Sequence, residues 1–382
     1  PAVQWNPLML ELPGWITAWW LWGRPRTLAQ PDAHLPERLQ DRVPDRSITV
    51  IIPARNEADV LPGLLDDLAG WAGPNRRVLV VDDHSTDGTA DRARTFAGVT
   101  VIDAPELPPG WTGKSWACHV GTQHRVHEDD DVLVFLDADV RVAPDAITAA
   151  VARLDHDGGL LSVQPFHTTE RPYEQLSLYS GIVGLMGTGA GRPPGHPPAG
   201  AFGPLLATTV GSYRTSGGHA AVRQVVTEDV SLALHYRDAG LPVHIWLGGD
   251  AVRFRMYPHG LAQLVEGWTK NMAAGAGAVA HHRSALVAAW IAASGSAAMS
   301  LPLAPGNHGV APAVGVAIYL LYVAQIWAIG RQTGTFGLRT AVLYPVALAA
   351  FMALFFRSTW RLYVRRSVRW RGRSIGLGSA PP

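Results

Sequence analysis

The stretch FLDADV, Phe135–Val140, ends an apolar run in two carboxylates one residue apart, Asp137 and Asp139. Residues i and i+2 of a strand project to the same side. Two carboxylates placed so can share one hard cation and leave positions open for phosphate oxygens. Mg2+ and Mn2+ are held in this manner, through one or two carboxylates plus substrate phosphates. A solvated loop with two acids is the plainer alternative, and Asp-x-Asp is a common tripeptide. The run VLVFL before it argues instead for a rigid sheet edge. A second cluster, VVDDHSTDGTADRA (Val80–Ala93), again closes an apolar run on acids, Asp82 and Asp83. Ser85, Asp87, Gly88 and Thr89 suit a tight turn into a helix start, and Asp83 is placed to accept hydrogen bonds from a nucleobase.

A third element is IIPARNEADVL, Ile51–Leu61. A dinucleotide-binding fold would carry GxGxxG after this first strand, and the motif is absent, which argues against NAD or FAD. Arg55 and Glu57 stand at the strand-to-helix turn instead, where they suit the ribose or base of a nucleotide. The chain has only two lysines among 32 basic residues, Lys114 and Lys270, and both fall in motif regions. Lys114 suits a phosphate; the alternative is a surface lysine in a loop. His219, in GGHAAVR, could touch a diphosphate or a metal, although a lone histidine is more often structural. Gly217 and Gly218 beside it would let backbone approach a ligand closely.

The elements that must position these groups follow from periodicity. Ile48–Ile52, Arg77–Asp83, Val99–Asp103 and Val132–Asp137 have the apolar, β-branched character of buried strands. Glu57–Trp71 and Thr89–Ala97 have helical spacing. This order implies an α/β layer with a mostly parallel sheet, and ligands of such sheets bind beyond the carboxyl ends of the strands. Asp82, Asp83, Asp137 and Asp139 fall there. On either side of this region the chain is apolar. Trp5–Trp22 is Trp-rich but contains Glu11 and Pro13, and could span a bilayer or lie at its interface. Ser284–Leu303, Val310–Gly330 and Thr340–Phe356 are each near bilayer-crossing length. The expected division is a membrane segment at 1–26, a linker at 27–46, a catalytic domain at 47–274, membrane segments at 275–356 and a basic tail at 357–382.

Hydrophobic residues make up 47% of the 382 and charged residues 16%, which is apolar for a soluble enzyme. The net charge of +1 hides an asymmetry, because the tail from Arg357 carries seven arginines and no acid. Such a tail after apolar segments points to a membrane surface; nucleic acid is not expected as a partner, since no recognition motif accompanies it. One cysteine, Cys118, excludes an internal disulfide and fits a reducing compartment. No small-residue cleavage site follows a short apolar core, so no secretory leader is expected. Arg24 and Arg26 place the catalytic domain in the cytoplasm by the positive-inside bias. Three C-terminal spans would then carry the basic tail outside, so one candidate is expected not to cross.

PARNE, VVDDHSTDGTA, FLDADV and VVTEDVSLALHYRDAG, in that order across residues 47–270, resemble the motif series of family 2 glycosyltransferases. LPPGWTGKSWACHVG (Leu107–Gly121) and VRWRGRSI (Val368–Ile375) resemble the membrane-bound branch that glycosylates lipids, above all 4,4'-diaponeurosporenoate glycosyltransferase-like enzymes of carotenoid biosynthesis, with hopanoid-associated and ceramide enzymes more distant. The resemblance implies a GT-A fold, a UDP-sugar donor, a Mn2+ or Mg2+ cofactor and inversion at the anomeric carbon. By position it makes Asp229, beside Glu228, the catalytic base. It makes Asp139 and Asp137 the metal and ribose ligands, and it assigns the donor to Pro53, Arg55, Glu57, Asp83, Lys114, Asp137, His219, Trp268 and Lys270. One motif departs from the family. Where many relatives have QxxRW, this chain has AQLVEGWTKN (Ala262–Asn271), with longer spacing and no arginine before the tryptophan. That argues against polymer synthesis and leaves Lys270, or an arginine of RWRGR, to supply the charge. The implied reaction is sugar transfer, with glucose the first candidate, to a lipophilic membrane acceptor such as a carotenoid carboxylic acid. A polyprenyl phosphate or a cell-wall glycan is the alternative acceptor, and a non-catalytic nucleotide-sugar sensor the alternative class. The expected location is the cell membrane, multi-pass.

Overall fold

The computed structural model describes residues 8–28, 46–125, 128–193, 195–225, 227–277, 279–301, 312–361, 367–370 and 373–376. It divides into two compact units: a sheet unit, Pro25–Phe166 with Pro194–Arg255, and a helical unit, Pro1–Arg24 with His167–Pro193 and Met256–Pro382. The segment 167–193, which the sequence pattern groups with the catalytic region, thus belongs with the terminal helices. Most of the linker, residues 29–45, lies outside the described residues.

The sheet unit is built on seven strands: β1 Ile48–Ala54, β2 Arg76–Asp82, β3 Val99–Asp103, β4 Val132–Leu136, β5 Leu160–Gln164, β6 Leu205–Thr209 and β7 Val243–Leu247, in the spatial order β3-β2-β1-β4-β6-β5-β7. β2 and β4 run parallel to β1, β3 parallel to β2, and β7 parallel to β5. β6 alone is reversed, antiparallel to both β4 and β5. Alternate residues of the central strands enter different cores. Ile48, Val50, Ile52 and Val134 pack on one face with the helix Ala146–Asp157. Ile51, Leu79, Val81, Leu133 and Phe135 pack on the other with the helix Gly113–Gln123. A sheet covered on both faces explains why these strands are continuously apolar rather than alternating. Gly121 brings its helix close to the sheet: a Cβ there would lie 2.5 Å from Ile51 Cγ2.

The reversed strand places the site. β6 pairs Leu205 with Leu136 and Thr209 with Val132, so the loop entering β6 arrives beside the carboxyl end of β4. Pro53 sits inside β1, yet β4 pairs with β1 only as far as Ile51, so the missing N–H costs no ladder bond on that side.

In the helical unit, Leu8–Trp22 packs on His281–Met299, and Leu261–Gly277 on Tyr344–Trp360. The acid that interrupts the first apolar segment is fully buried: Glu11 Oε1 accepts from Ser296 Oγ at 3.0 Å and Ser300 Oγ at 2.8 Å. Tyr322 donates to the Glu11 carbonyl at 2.7 Å. Of the four apolar segments, only the helix Pro312–Thr333 is, among the described residues, long and apolar enough to cross a membrane. In the basic tail, Ser367–Trp370 and Arg373–Gly376 pair as an antiparallel ribbon; Arg371 and Gly372 lie outside the described residues.

Candidate active site

At the carboxyl ends of β1 and β2, two loops are stitched together by side chains. Asn56 Oδ1 accepts from Thr86 N at 2.9 Å, and Asn56 N donates to Ser85 Oγ at 2.9 Å. Glu57 N donates to Thr89 Oγ1 at 2.8 Å and Ala58 N to Asp87 Oδ2 at 3.1 Å. Asn56 and His84 take the left-handed conformation, with φ of 54° and 56°, which costs a non-glycine residue free energy and persists only where the surroundings demand it. Asp87 also accepts from Thr89 N, the first N–H of the next helix, at 3.0 Å. Burial alone would raise its pKa, but bonds from Thr89, Ala58 and its own backbone outweigh that and hold the carboxyl below its ordinary 3.8. Asn56, Ser85, Asp87 and Thr89 therefore build the loops. Arg55 Nη1 donates to the Asp83 carbonyl at 2.6 Å and lies 3.4 Å from its Oδ2, so Arg55 orients Asp83. Asp82 Oδ2 accepts from Ser85 N at 3.0 Å, while its buried Oδ1 has no hydrogen-bond partner among the described residues.

The second cluster joins β4, the loop entering β6 and two helix starts. Past Leu136 the chain turns at once, leaving Asp137 half-buried and Asp139 exposed. Asp137 N donates to the Pro204 carbonyl at 3.0 Å. Phe202 is fixed to β5, its N donating to Ser162 Oγ at 2.7 Å and its carbonyl accepting from the same hydroxyl at 3.0 Å. Between them Gly203 N donates to Asp229 Oδ2 at 2.9 Å. Asp229 lies in the first turn of the helix Glu228–Asp238 and accepts from Val230 N at 2.9 Å, where backbone N–H groups lack helical partners and favour an anion. At Gly203 a Cβ would crowd the cluster, lying 3.1 Å from Lys114 Nζ and 3.2 Å from Asp229 Oδ2.

Lys114 is the hub. Its ammonium lies 2.6 Å from Asp137 Oδ1 and 3.0 Å from Glu228 Oε1. A lysine in the first turn of a helix opposes the helix dipole, yet the sequence puts one there, in the helix Gly113–Gln123. Burial alone would lower its pKa, and the charges of Asp137, Glu228 and Asp229 overcome that and raise it well above the ordinary value. Asp229 is pushed the other way for a carboxyl. Burial and the neighbouring Glu228 charge raise it from 3.8 to about 6, against the lowering pull of Lys114 and of its two backbone bonds. An acid poised near neutrality is suited to proton transfer.

His219 is buried, its ring edge-on to Phe135 with centroids 4.7 Å apart. Tyr213 OH lies 2.9 Å from its Nδ1 and accepts from its backbone N at 2.9 Å. Burial lowers its pKa to about 3, so the ring is neutral. Trp268 and Lys270 belong to the helical unit, on Leu261–Gly277. There Trp268 Nε1 donates to Ser177 Oγ at 3.0 Å, and Gln263 Oε1 accepts from His259 N at 2.9 Å. Ser162, Gly203 and Pro204 went unnoticed in the sequence, because what marks them is the reversed strand that brings their loop to β4.

The family described as glycosyl transferase family 2 matches residues 49–189. Over 342 residues the chain is 33% identical to 4,4'-diaponeurosporenoate glycosyltransferase of Staphylococcus aureus (strain MRSA252), covering 87% of this chain and 89% of that enzyme. The chain belongs to glycosyltransferase family 2. The enzyme of strain USA300 matches with the same identity and coverage. Among solved structures, a mannosyltransferase from Pyrobaculum calidifontis in complex with GDP-Man and Mn2+ aligns with a TM-score of 0.49 and 18% identity, over 92% of this chain and 99% of that one. As a glycosyltransferase, the enzyme needs a place for an activated sugar and a group to serve the acceptor.

Proposed function

We propose that this glycosyltransferase moves a sugar, glucose in the first instance, from a UDP-sugar to the carboxylate of a lipophilic acid, of the kind for which its relatives are named, with inversion and with a divalent metal ion. The observation that carries this reading is the convergence of Asp137 and Glu228 on Lys114, 2.6 and 3.0 Å from its ammonium, beside a carboxyl, Asp229, raised to about 6. Donor-side and acceptor-side acids are thereby held together.

Among the described residues no group of three or more His, Cys, Asp or Glu converges to hold a metal ion. The donor set is the pair Asp137 and Asp139 on one turn, which fits a cation completed by substrate phosphates. A cation held there supplies neutralising charge to the departing diphosphate. Asp83, oriented by Arg55, accepts from the base, beside loops stitched through Asn56 and Asp87 in a GT-A fold. Lys114 adds positive charge beside the diphosphate. The acceptor oxygen forms its bond to the anomeric carbon from the face opposite the diphosphate, as the sugar–phosphate bond breaks. An alcohol must lose a proton, which Asp229 takes. A carboxylic acid, titrating near ~4, is already ionised near neutrality, and Asp229 then orients it. His219 acts from beneath, keeping the glycine turn in place.

Bilayer contact falls to the helical unit. All but one of the exposed large hydrophobic side chains among the described residues belong to it, including Met9, Leu12, Ile16 and Trp20 along one helix and Leu320 and Trp327 along another. Rows of large apolar side chains exposed along a helix suit contact with lipid, and tryptophan favours the interface. More than one helix enters the membrane in this reading, with the sheet unit cytoplasmic. The test uses membranes carrying the full chain, labelled UDP-glucose, Mn2+ and 4,4'-diaponeurosporenoate, beside Asp139→Ala. Label should pass to the organic phase only with the intact aspartate. Donor consumption without organic-phase label would favour a soluble or polymeric acceptor, and no consumption of any nucleotide-sugar would overturn the proposal.

A further inference from the structure

Lys114 and a divalent cation have claims on the same carboxylate. The ammonium lies 2.6 Å from Asp137 Oδ1, whereas Mg2+ or Mn2+ takes carboxylate oxygens at about 2.1 Å. A metal ion sharing Asp137 would set its charge and the ammonium on one carboxylate, where like charges repel. The lysine also has somewhere else to stay: Glu228 Oε1 is 3.0 Å from it. Its side chain is 36% exposed, with water along one side. The Asp229 carboxylate is held by backbone N–H groups, and the Asp137 backbone by its N–H to Pro204. The lysine, on a long flexible stem, can move its ammonium from Asp137 toward Glu228 without moving the backbone.

The geometry points to Lys114 as a built-in competitor of the metal ion, occupying Asp137 until the donor arrives and then transferring its ammonium to the diphosphate that comes with the cation. This deepens the proposed function and rests on its assignment of Asp137 and Asp139 to the metal. Metal alone is held off, so the site fills with cation and nucleotide together, and the positive charge that leaves Asp137 is delivered to the leaving group. Lys114 is in this sense a specificity device for the metal–donor complex over either component.

The test reads metal binding, not turnover. Mn2+ affinity of the detergent-solubilised full chain is measured by electron paramagnetic resonance of the free ion, with and without UDP, for wild type, Lys114→Met, Lys114→Arg and Asp139→Ala. Without UDP, Lys114→Met should bind Mn2+ about tenfold more tightly than wild type, the scale of one charge-assisted hydrogen bond relinquished. Lys114→Arg, which keeps the charge, should stay near wild type. With UDP the order should reverse, because the methionine variant has lost its diphosphate partner. Equal or weaker binding by Lys114→Met without UDP, in a variant that melts like wild type, overturns the competition while leaving the metal site standing. A methionine variant that does not fold leaves Lys114→Arg to decide: an affinity moved as far as Asp139→Ala moves it would show that geometry, not charge, governs the site, and would overturn the proposal. Mn2+ bound by none of the proteins, even with UDP, removes the metal reading itself.

Discussion

Replacing Asp229 by Asn removes a carboxyl whose pKa stands at about 6, raised first by burial and next by Glu228. The difference from the ordinary 3.8 is worth about 3 kcal/mol between its two protonation states, and it sets a pH limit that depends on the acceptor. With an alcohol acceptor only the ionised form serves as base, so kcat/KM should fall below about pH 6, roughly tenfold per unit. Asp229→Asn should then cost about a hundred- to ten-thousand-fold. With a carboxylate acceptor no proton is taken, and a protonated Asp229 can still donate a hydrogen bond to it. The profile should stay level to near ~4, where the acceptor itself protonates, and the asparagine variant should lose less than about tenfold. Glu228→Gln should move the alcohol limb down by about one pH unit. The assay is initial-rate transfer from labelled UDP-glucose to a matched pair, a lipophilic acid and its alcohol, from pH 4.5 to 8.5. A common limb near 6 and an equal collapse of Asp229→Asn on both acceptors would refute the reasoning. Stability supplies an independent sign. A folded-state pKa raised above the unfolded one contributes stability below the unfolded value and loses it as pH rises through the folded one. Asp229→Asn should therefore be more stable than wild type above about pH 6, by up to about 3 kcal/mol, and no more stable below about pH 4.

Gly203→Ala should lower kcat by about a hundredfold with little change in melting temperature, since its Cβ would press on Lys114 and Asp229, 3.1 and 3.2 Å away, and displace catalytic groups that tolerate little misplacement; unchanged kcat would show that the loop does not position the base. Asp87→Ala should destabilise by about 1–2 kcal/mol at pH 7 through the lost bonds to Thr89 N and Ala58 N. Its depressed pKa makes that contribution present above the ordinary 3.8 and lost as pH falls through the folded value, so the two proteins should converge in acid, as denaturant melts would record. A difference that persists in acid would assign the loss to packing. Asp139→Ala should lose donor turnover while keeping its melting temperature, because the residue is exposed on a turn; a folding defect would make it structural.

The strands that matter most were plain in the residues. Val99–Asp103 matches its sequence limits, and VLVFL does end at the Asp137 turn. β5, β6 and β7 escaped because polar residues break their apolar runs, Ser162 and Gln164 in β5, Thr208 and Thr209 in β6, and His244 in β7. With β6 went the reversal that brings Gly203 and Pro204 to Asp137, because pairing direction is a long-range property. The helix expected from Glu57 begins only at Leu61, since Glu57 and Ala58 spend their N–H groups on Thr89 and Asp87. The rarity of Lys114 singled it out, but its protein partners, Asp137 and Glu228, could not be read from the sequence. Glu11 looked like an obstacle to a membrane helix until Ser296 and Ser300, nearly three hundred residues away, supplied its hydrogen bonds.

The bond formed in the product tests the account most directly. Purified full chain in detergent is given labelled UDP-glucose, Mn2+ and 4,4'-diaponeurosporenoate, and the organic-phase product is weighed by mass spectrometry before and after mild alkali. The account predicts the mass of one hexose added to the acid, in a linkage that mild alkali cleaves as it does an ester, and no such product from Asp139→Ala. A hexose adduct that withstands alkali, or an adduct formed equally well by Asp139→Ala, would contradict it.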